Sequence, residues 1–259
     1  MVDYLTYLCI IPYIDKKCTI FLKNINIYDF CYNSQFDISA SMCIINKERG
    51  VLMPKTIPMI ITNDTILVKE KEGDKFLSFE MPGIEPEVNI PFYHEFAKRI
   101  SECQYYFKEF IKNEYGKKYS KNVFAIIIPD DTSALESIFI NEFFLNSGAC
   151  KAVAKMTMGQ AISKNHNRYI TISKTQRNVV LQYINNDDIM AQKLYDFSDY
   201  NVKQIFEDAK RLHIDVEYSG VPIFVNNINM NMDDFFDLGE VISPKQFMDK
   251  IAQIDVEKI

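Results

Sequence analysis

The run Val123–Ile128, VFAIII, closed by Pro129, constrains this chain more than any other stretch. Six consecutive apolar residues leave no polar face for solvent, so a strand here must be covered on both sides. Helical patterns flank it. Upstream, Pro91 suits the first position of a helix, and Phe92, Phe96, Ile100, Cys103, Phe107 and Phe110–Ile111 recur at helical spacing as far as Gly116. Downstream, Ser133 and Glu136 form a capping-box pair, Leu135, Phe139 and Phe143 mark one face, and Gly148 stops the helix. A helix, a buried strand and a second helix, with further strands on either side, predict an α/β fold.

The remaining elements fit around this unit. Residues 4–11 and 18–23 read as two strands joined by the turn PYIDKK, and Ser41–Ile45, Ile57–Ile61 and Thr65–Lys69 as three more, separated by NKERG and TND. Met81–Pro91, with three prolines and a glycine, reads as an extended connector. After Gly148 come a short strand around Val153 and a short helix over Met156–Ser163. Tyr169–Ile172 and Val179–Ile184 then read as two strands joined through SKTQRN. A helix over Asn201–Leu212, a strand ending at Val225 and a helix opened by Ser243, Pro244 and Gln246 complete the chain. No internal repeat is visible in the residues.

Composition removes several functions. A net charge of −6 and a pI near 5.2 argue against a nucleic-acid partner. Apolar runs as short as Val123–Ile128 do not span a bilayer. Asp3 stands where a signal peptide would carry a basic region, so a cytoplasmic chain is expected. The six cysteines never approach C-x-x-C spacing and read as reduced, buried thiols. His94, His166 and His213 are isolated, with no H-E-x-x-H and no nucleophile elbow, so neither a metal nor a catalytic triad is expected.

With the elements placed, Tyr106–Ser163, from YFKEFIKNEYG through VFAIIIPDDTSALES to GACKAVAKMTMGQAIS, resembles the first lobe of the seventy-kilodalton heat-shock chaperones. More broadly it is similar to the actin and MreB superfamily, and Cys43–Glu70 looks like that family's strand-turn-strand after its first hairpin. The resemblance implies an actin-like (ribonuclease H-like) lobe over 1–165, with a mixed central sheet and flanking helices. A reduced second lobe would follow over 166–259.

The family holds a nucleotide between two hairpins whose glycine-rich turns offer backbone N–H groups to the phosphates. Under the resemblance those turns fall on Pro12–Lys17 and Ser173–Asn178, and neither contains glycine. Pro12 has no N–H, and Asp15 and Lys16 follow it in the first turn. In the second, Ser173 stands at an acidic position, Lys174 follows, and Thr175, Gln176 and Arg177 stand at the glycines. The family's catalytic Glu falls on Lys155, a charge reversal that removes a partner for metal or water. The expectation is a non-catalytic protein-binding or scaffolding module without ATP hydrolysis, cofactor or metal. It would dock a protein partner, and self-assembly is compatible with it.

Two alternatives stay open. One is a divergent ATPase or phosphotransferase with Asp15, Asp130 or Asp131 as metal ligand, although Asp130 and Asp131 also suit helix capping at Thr132–Ser133. The other is a cytoplasmic adaptor of a secretion or pilus platform. The cations Lys16, Lys17, Lys155, Lys174 and Arg177 would either gather at the old phosphate position or pair with Asp130 and Asp131. The segment Asn226–Phe236 reads either as a docking segment or as a loop whose phenylalanines pack on the body, and no role is carried to Gly220.

Overall fold

The computed structural model describes residues 55–84, 87, 89–116, 119–162 and 166–254. The expected strands over 4–11, 18–23 and 41–45, and the turn carrying Pro12, Asp15 and Lys16, lie outside the described residues.

Val123–Ile128 is β4, an inner strand of a sheet that has five strands among the described residues, and its last five residues are buried. Its neighbours are β1 (Thr56–Ile61) and β5 (Ala152–Thr157), both parallel to it. An antiparallel meander, β1 to β2 (Ile66–Lys69) to β3 (Phe76–Phe79), completes the order β3-β2-β1-β4-β5. The parallel steps need crossover helices. The first crossover breaks at Arg99 instead of running unbroken from Phe92. A 3-10 turn and α1 (Glu95–Lys98) precede the break, and α2 (Ile100–Tyr115) follows it. The Arg99 guanidinium donates to the carbonyls of Pro82 and Gly83, tying the connector to this joint. The second crossover is α3 (Ala134–Asn146), opened by the expected Ser133–Glu136 capping box. After β5, α4 (Met158–Ala161) carries a capping box of its own, Thr157 with Gln160.

A second five-stranded sheet follows. β6 (Arg168–Lys174), β7 (Asn178–Asn185) and β8 (Asp188–Asp196) form an antiparallel meander. The β7–β8 turn is Asn186–Asp187, both at positive φ, a conformation Asn and Asp tolerate in two-residue hairpins. The chain crosses through α5 (Val202–Lys210) and α6 (Ile214–Ser219) to β9 (Ile223–Asn226), parallel to β6. It then reaches β10 (Glu240–Ile242), parallel to β9, and ends the described part with α7 (Pro244–Ile251).

The order β10-β9-β6-β7-β8, read from its other edge, is the order of the first sheet. Each sheet is a three-strand meander whose first strand takes one parallel partner, which in turn takes a second. The residues show no repeat, yet the topology repeats, because it depends on which strands are covered and not on which residues cover them.

Three cores follow from this plan. One face of the first sheet packs on α2 and α3 through Phe107, Phe124, Phe143 and Phe144. Its other face, with Ile60, Ala125 and Ile127, meets α4, α7 and the second sheet at Met158, Phe247, Tyr169 and Phe224. The far face of the second sheet packs on α5 and α6 through Ile170, Ile172, Leu181, Ile205 and Val216. Phe235 and Met232 of the segment Asn226–Phe236 are fully buried in this third core, while Phe236 is exposed. That segment is therefore largely packed on the body.

Candidate functional site

The β1–β2 and β6–β7 turns are built alike. Each is a four-residue loop led by threonine, Thr62-Asn63-Asp64-Thr65 and Thr175-Gln176-Arg177-Asn178. In each, the leading backbone N–H donates to the carbonyl three residues on, at 2.9 Å for Thr62 and 2.8 Å for Thr175. The N–H of the fourth residue donates back to the threonine hydroxyl, at 3.2 Å in the first turn and 3.0 Å in the second. In the second turn Arg177 N–H also donates to Thr175 Oγ1, at 3.2 Å. No residue of either turn has positive φ, so neither turn needs glycine. The Thr175 hydroxyl uses the inward N–H groups of Arg177 and Asn178, which a bound anion would otherwise receive.

These turns line one small cavity together with Tyr93, Pro129 and Asp131. Its free volume is about 10 Å³, at the lower limit for a single water molecule. A charged network stands beside it. Arg177 donates through Nε to Asp131 Oδ2 at 3.1 Å and through Nη1 to Glu136 Oε1 at 2.8 Å. Its Nη2 reaches Glu136 Oε2 and the Asp131 carbonyl. Thr175 Oγ1 and Asn178 Nδ2 also donate to Asp131 Oδ2, at 2.7 and 3.0 Å. Glu136 takes the Ser133 N–H of its capping box at 2.7 Å and faces His94 Nε2 at 2.6 Å. Burial works against the Glu136 carboxylate, but Arg177, the Ser133 N–H and His94 together hold it down at about 2. Tyr93 and Gln176 both line the cavity; the Tyr93 hydroxyl lies beside that of Thr132, and Gln176 Oε1 is buried with no hydrogen-bond partner among the described residues.

Asp130 sits beside this network without a cation. Its Oδ1 accepts the Gly159 N–H of α4 at 2.7 Å, and its Oδ2 accepts the Ser173 hydroxyl of β6 at 2.6 Å. Its carbonyl receives the side-chain amides of Gln182 on β7 and Gln192 on β8. One residue at the end of β4 is thereby bonded to α4 and to three strands of the second sheet. Burial pushes its carboxyl up to about 6, against the lowering bonds from Ser173 and Gly159.

The residues singled out in the sequence divide. Thr175, Gln176 and Arg177 meet the turn Thr62–Thr65 at the junction, Ser173 is bonded to Asp130 beside it, and the turn Pro12–Lys17 lies outside the described residues. The shared pattern T-x-x-[T/N] between two apolar runs is the signal that could have found Thr62–Thr65. Lys16 and Lys17 lie outside the described residues, and the other three cations do not gather. Lys174 is on the opposite face of β6, paired with Asp234 at 3.1 Å and set over the rings of Tyr200 and Phe235. Lys155 Nζ donates to the carbonyl and hydroxyl of Ser137 on α3, each at 2.8 Å. Among the described cations Arg177 alone pairs across to the Asp130–Asp131 loop, and it takes Asp131. Neither aspartate caps α3, whose cap is Ser133. Among the described residues no group of three or more His, Cys, Asp and Glu is placed to hold a metal ion. No helix among them is long and apolar enough to cross a membrane.

No protein-family model and no curated protein matches the sequence. Solved structures do. The ethanolamine utilization protein EutJ from Carboxydothermus hydrogenoformans matches at 11% identity and a TM-score of 0.47, over 79% of this chain and 90% of that one. MreB5 of Spiroplasma citri bound to ADP matches at 10% identity and 0.46, over 77% and 95%. The cytoplasmic domain of EpsL, an inner-membrane component of the type II secretion system of Vibrio cholerae, matches at 8% and 0.37, over 76% and 93%. A Bacteroides thetaiotaomicron protein with an actin-like ATPase fold and unknown function matches at 8% identity and a TM-score of 0.40, over 77% and 96%, and the likeness in all four cases is one of fold.

Proposed function

We propose that this chain is a non-catalytic protein-binding or scaffolding module on an actin-like fold, with a first lobe over 1–165 and a second over 166–259, and that it does not hydrolyse ATP. The observation that supports the reading is the state of the β6–β7 turn; of the two turns the resemblance gives to the phosphates, it is the one among the described residues. A nucleotide phosphate needs free donors and space there. The Thr175 hydroxyl has taken the turn's N–H groups, Arg177 is committed to Asp131 and Glu136, and about 10 Å³ is left. Lys155, at the position the resemblance gives to a catalytic carboxylate, is bonded to α3.

A module closed in this way works through its outer surfaces, with a protein partner or a second copy of itself, in the cytoplasm. The chain's acidic balance supports a partner other than nucleic acid. Thermal melting with and without ATP and magnesium, beside a matched salt control, tests the reading. A native-state ligand at a hundred times its dissociation constant adds about 2.7 kcal/mol. No shift is expected. A magnesium-dependent rise overturns the proposal in favour of a divergent ATPase or phosphotransferase.

A further inference from the structure

We propose that the outer edge of β8 is a docking strand, to which a protein partner adds an extended segment with alternating apolar residues and basic ends. The inference deepens the functional reading and rests on it for the existence of a protein partner. β8 is the longest of the described strands, at nine residues, and it lies at an edge of its sheet. Edge strands are ordinarily kept short, because their unpaired backbone groups are a template for another chain.

Which groups are open follows from the ladder. In an antiparallel pair, hydrogen-bonded and non-hydrogen-bonded residue pairs alternate. The Phe197 N–H donates to the Arg177 carbonyl at 2.9 Å, so the bonds to β7 fall to the odd-numbered residues Tyr195, Lys193 and Ala191. Gln192 and Leu194 therefore turn both backbone groups outward, and among the described residues nothing bonds to them. The register shift between Tyr183 and Ile184 leaves Met190 without a partner on β7, and the regular stretch ends there.

The stretch from Ala191 to Asp196 is held on both faces. Lys193 Nζ and Tyr195 Oη both bond Asp208 on α5, at 2.9 and 2.7 Å. From the opposite face the Gln192 amide donates to the Asp130 carbonyl at 3.0 Å. A strand fixed in this way loses little freedom when another pairs with it. Leu194 and Met190, 52% and 50% exposed, offer apolar contact beside the open groups.

Charge chooses the occupant. Asp187 and Asp188 stand at one end of the strand, Asp196 and Asp199 at the other, and all four are exposed. Lys193, the one cation of β8, is already paired with Asp208. A second copy of the chain meets repulsion. Antiparallel self-pairing about Gln192 sets Asp188 against Asp196, and about Lys193 it sets lysine against lysine. Self-pairing about Leu194 leaves only Gln192–Asp196 in the ladder. A segment with Lys or Arg at both ends meets none of these obstacles and joins by strand addition.

The test follows the backbone amides of the full chain by NMR while a synthetic peptide of alternating valine and threonine, with lysines at both ends, is added. The Gln192 and Leu194 amides should shift saturably and exchange more slowly with solvent. The same peptide with glutamates at its ends should bind more weakly, by about threefold for each opposed charge. Leu194→Pro removes an outward N–H without touching a bond to β7, so it should fold and abolish the response. Should it not fold, Asp188→Lys at the surface replaces it and should weaken the lysine-ended peptide by about threefold. No shift at Gln192 and Leu194, or an equal response to the two peptides, overturns the proposal. A concentration-dependent dimer giving the same shifts without peptide also overturns it, by assigning the edge to a second copy. ATP binding in the melting test would sink the functional reading instead, whereas a silent β8 in a chain that ignores ATP would sink this inference alone.

Discussion

Gly159 shows how tightly single residues are specified at the junction. It stands in α4, where helical propensity alone would favour alanine. A Cβ built there would lie 2.3 Å from Gln182 Oε1, 2.8 Å from Thr171 Oγ1 and 3.2 Å from Asp130 Oδ1. Gln182 is fully buried and its amide is turned to the Asp130 carbonyl, so its oxygen cannot swing away cheaply. The absent side chain is what lets the Gly159 N–H reach Asp130 and the second sheet close over α4. Gly159→Ala is expected to lower stability by about 1–3 kcal/mol, as overpacking does in a buried site, despite the gain in helix propensity. Chemical denaturation of the two proteins side by side measures it. An unchanged or higher midpoint would mean that the sheets yield freely at α4.

At the scale of elements, what was legible in the sequence was what burial writes into it. β4, α3, α7 and the β6–β7 hairpin all carry a continuous apolar run or a capping box, and each is found where the pattern placed it. β8 was missed because it is an edge strand exposed along most of its length, and its residues DIMAQKLYD keep no alternation. β3 and β10, of four and three residues, are too short for a period to show. The break at Arg99 was hidden because the apolar spacing continues across it. Of the site, the glycine-free turn was legible and the pairing of Arg177 with Asp131 was one of two readings, but the turn Thr62–Thr65 and the part of Glu136 were not, since residues 62, 93, 136 and 177 meet only through the fold.

The two turns offer an internal comparison at this scale. Both threonine hydroxyls donate to an aspartate, Thr175 to Asp131 and Thr62 to Asp64, but Thr175 Oγ1 accepts two backbone N–H groups and Thr62 Oγ1 one. Thr175→Val keeps the shape and strands two donors at the junction, for a loss of about 2 kcal/mol, and Thr62→Val should lose about half as much. Amide exchange at Arg177 and Asn178 should quicken in the first variant only. Equal losses in both would mean that the network adds nothing to the second turn.

For the whole molecule, two carboxyls of adjoining elements pull stability in opposite directions with pH. Glu136 is held at about 2 against an ordinary value of 4.5, so its contribution is complete above pH 4.5 and is lost as pH falls toward 2. Asp130 is raised to about 6 from 3.8, so the folded state holds a proton there that the unfolded chain releases. Its charged form penalises folding above pH 6, and that penalty is relieved as pH falls from 6 toward 3.8. Each shift spans about two units, on the order of 3 kcal/mol at its limit. Both groups sit where the first sheet is bonded to the second, so their protons are linked to the closure of the molecule as a unit. Stability should therefore rise from pH 7 to a maximum between about pH 4 and 5, then fall. Asp130→Asn, whose amide can still accept from Gly159 and donate to Ser173, should remove the rise, and Glu136→Gln should blunt the acid fall. Melting temperatures across pH 3–8 for the three proteins decide the matter. A rise that persists in Asp130→Asn would place the proton elsewhere and leave Asp130 as a plain structural acceptor.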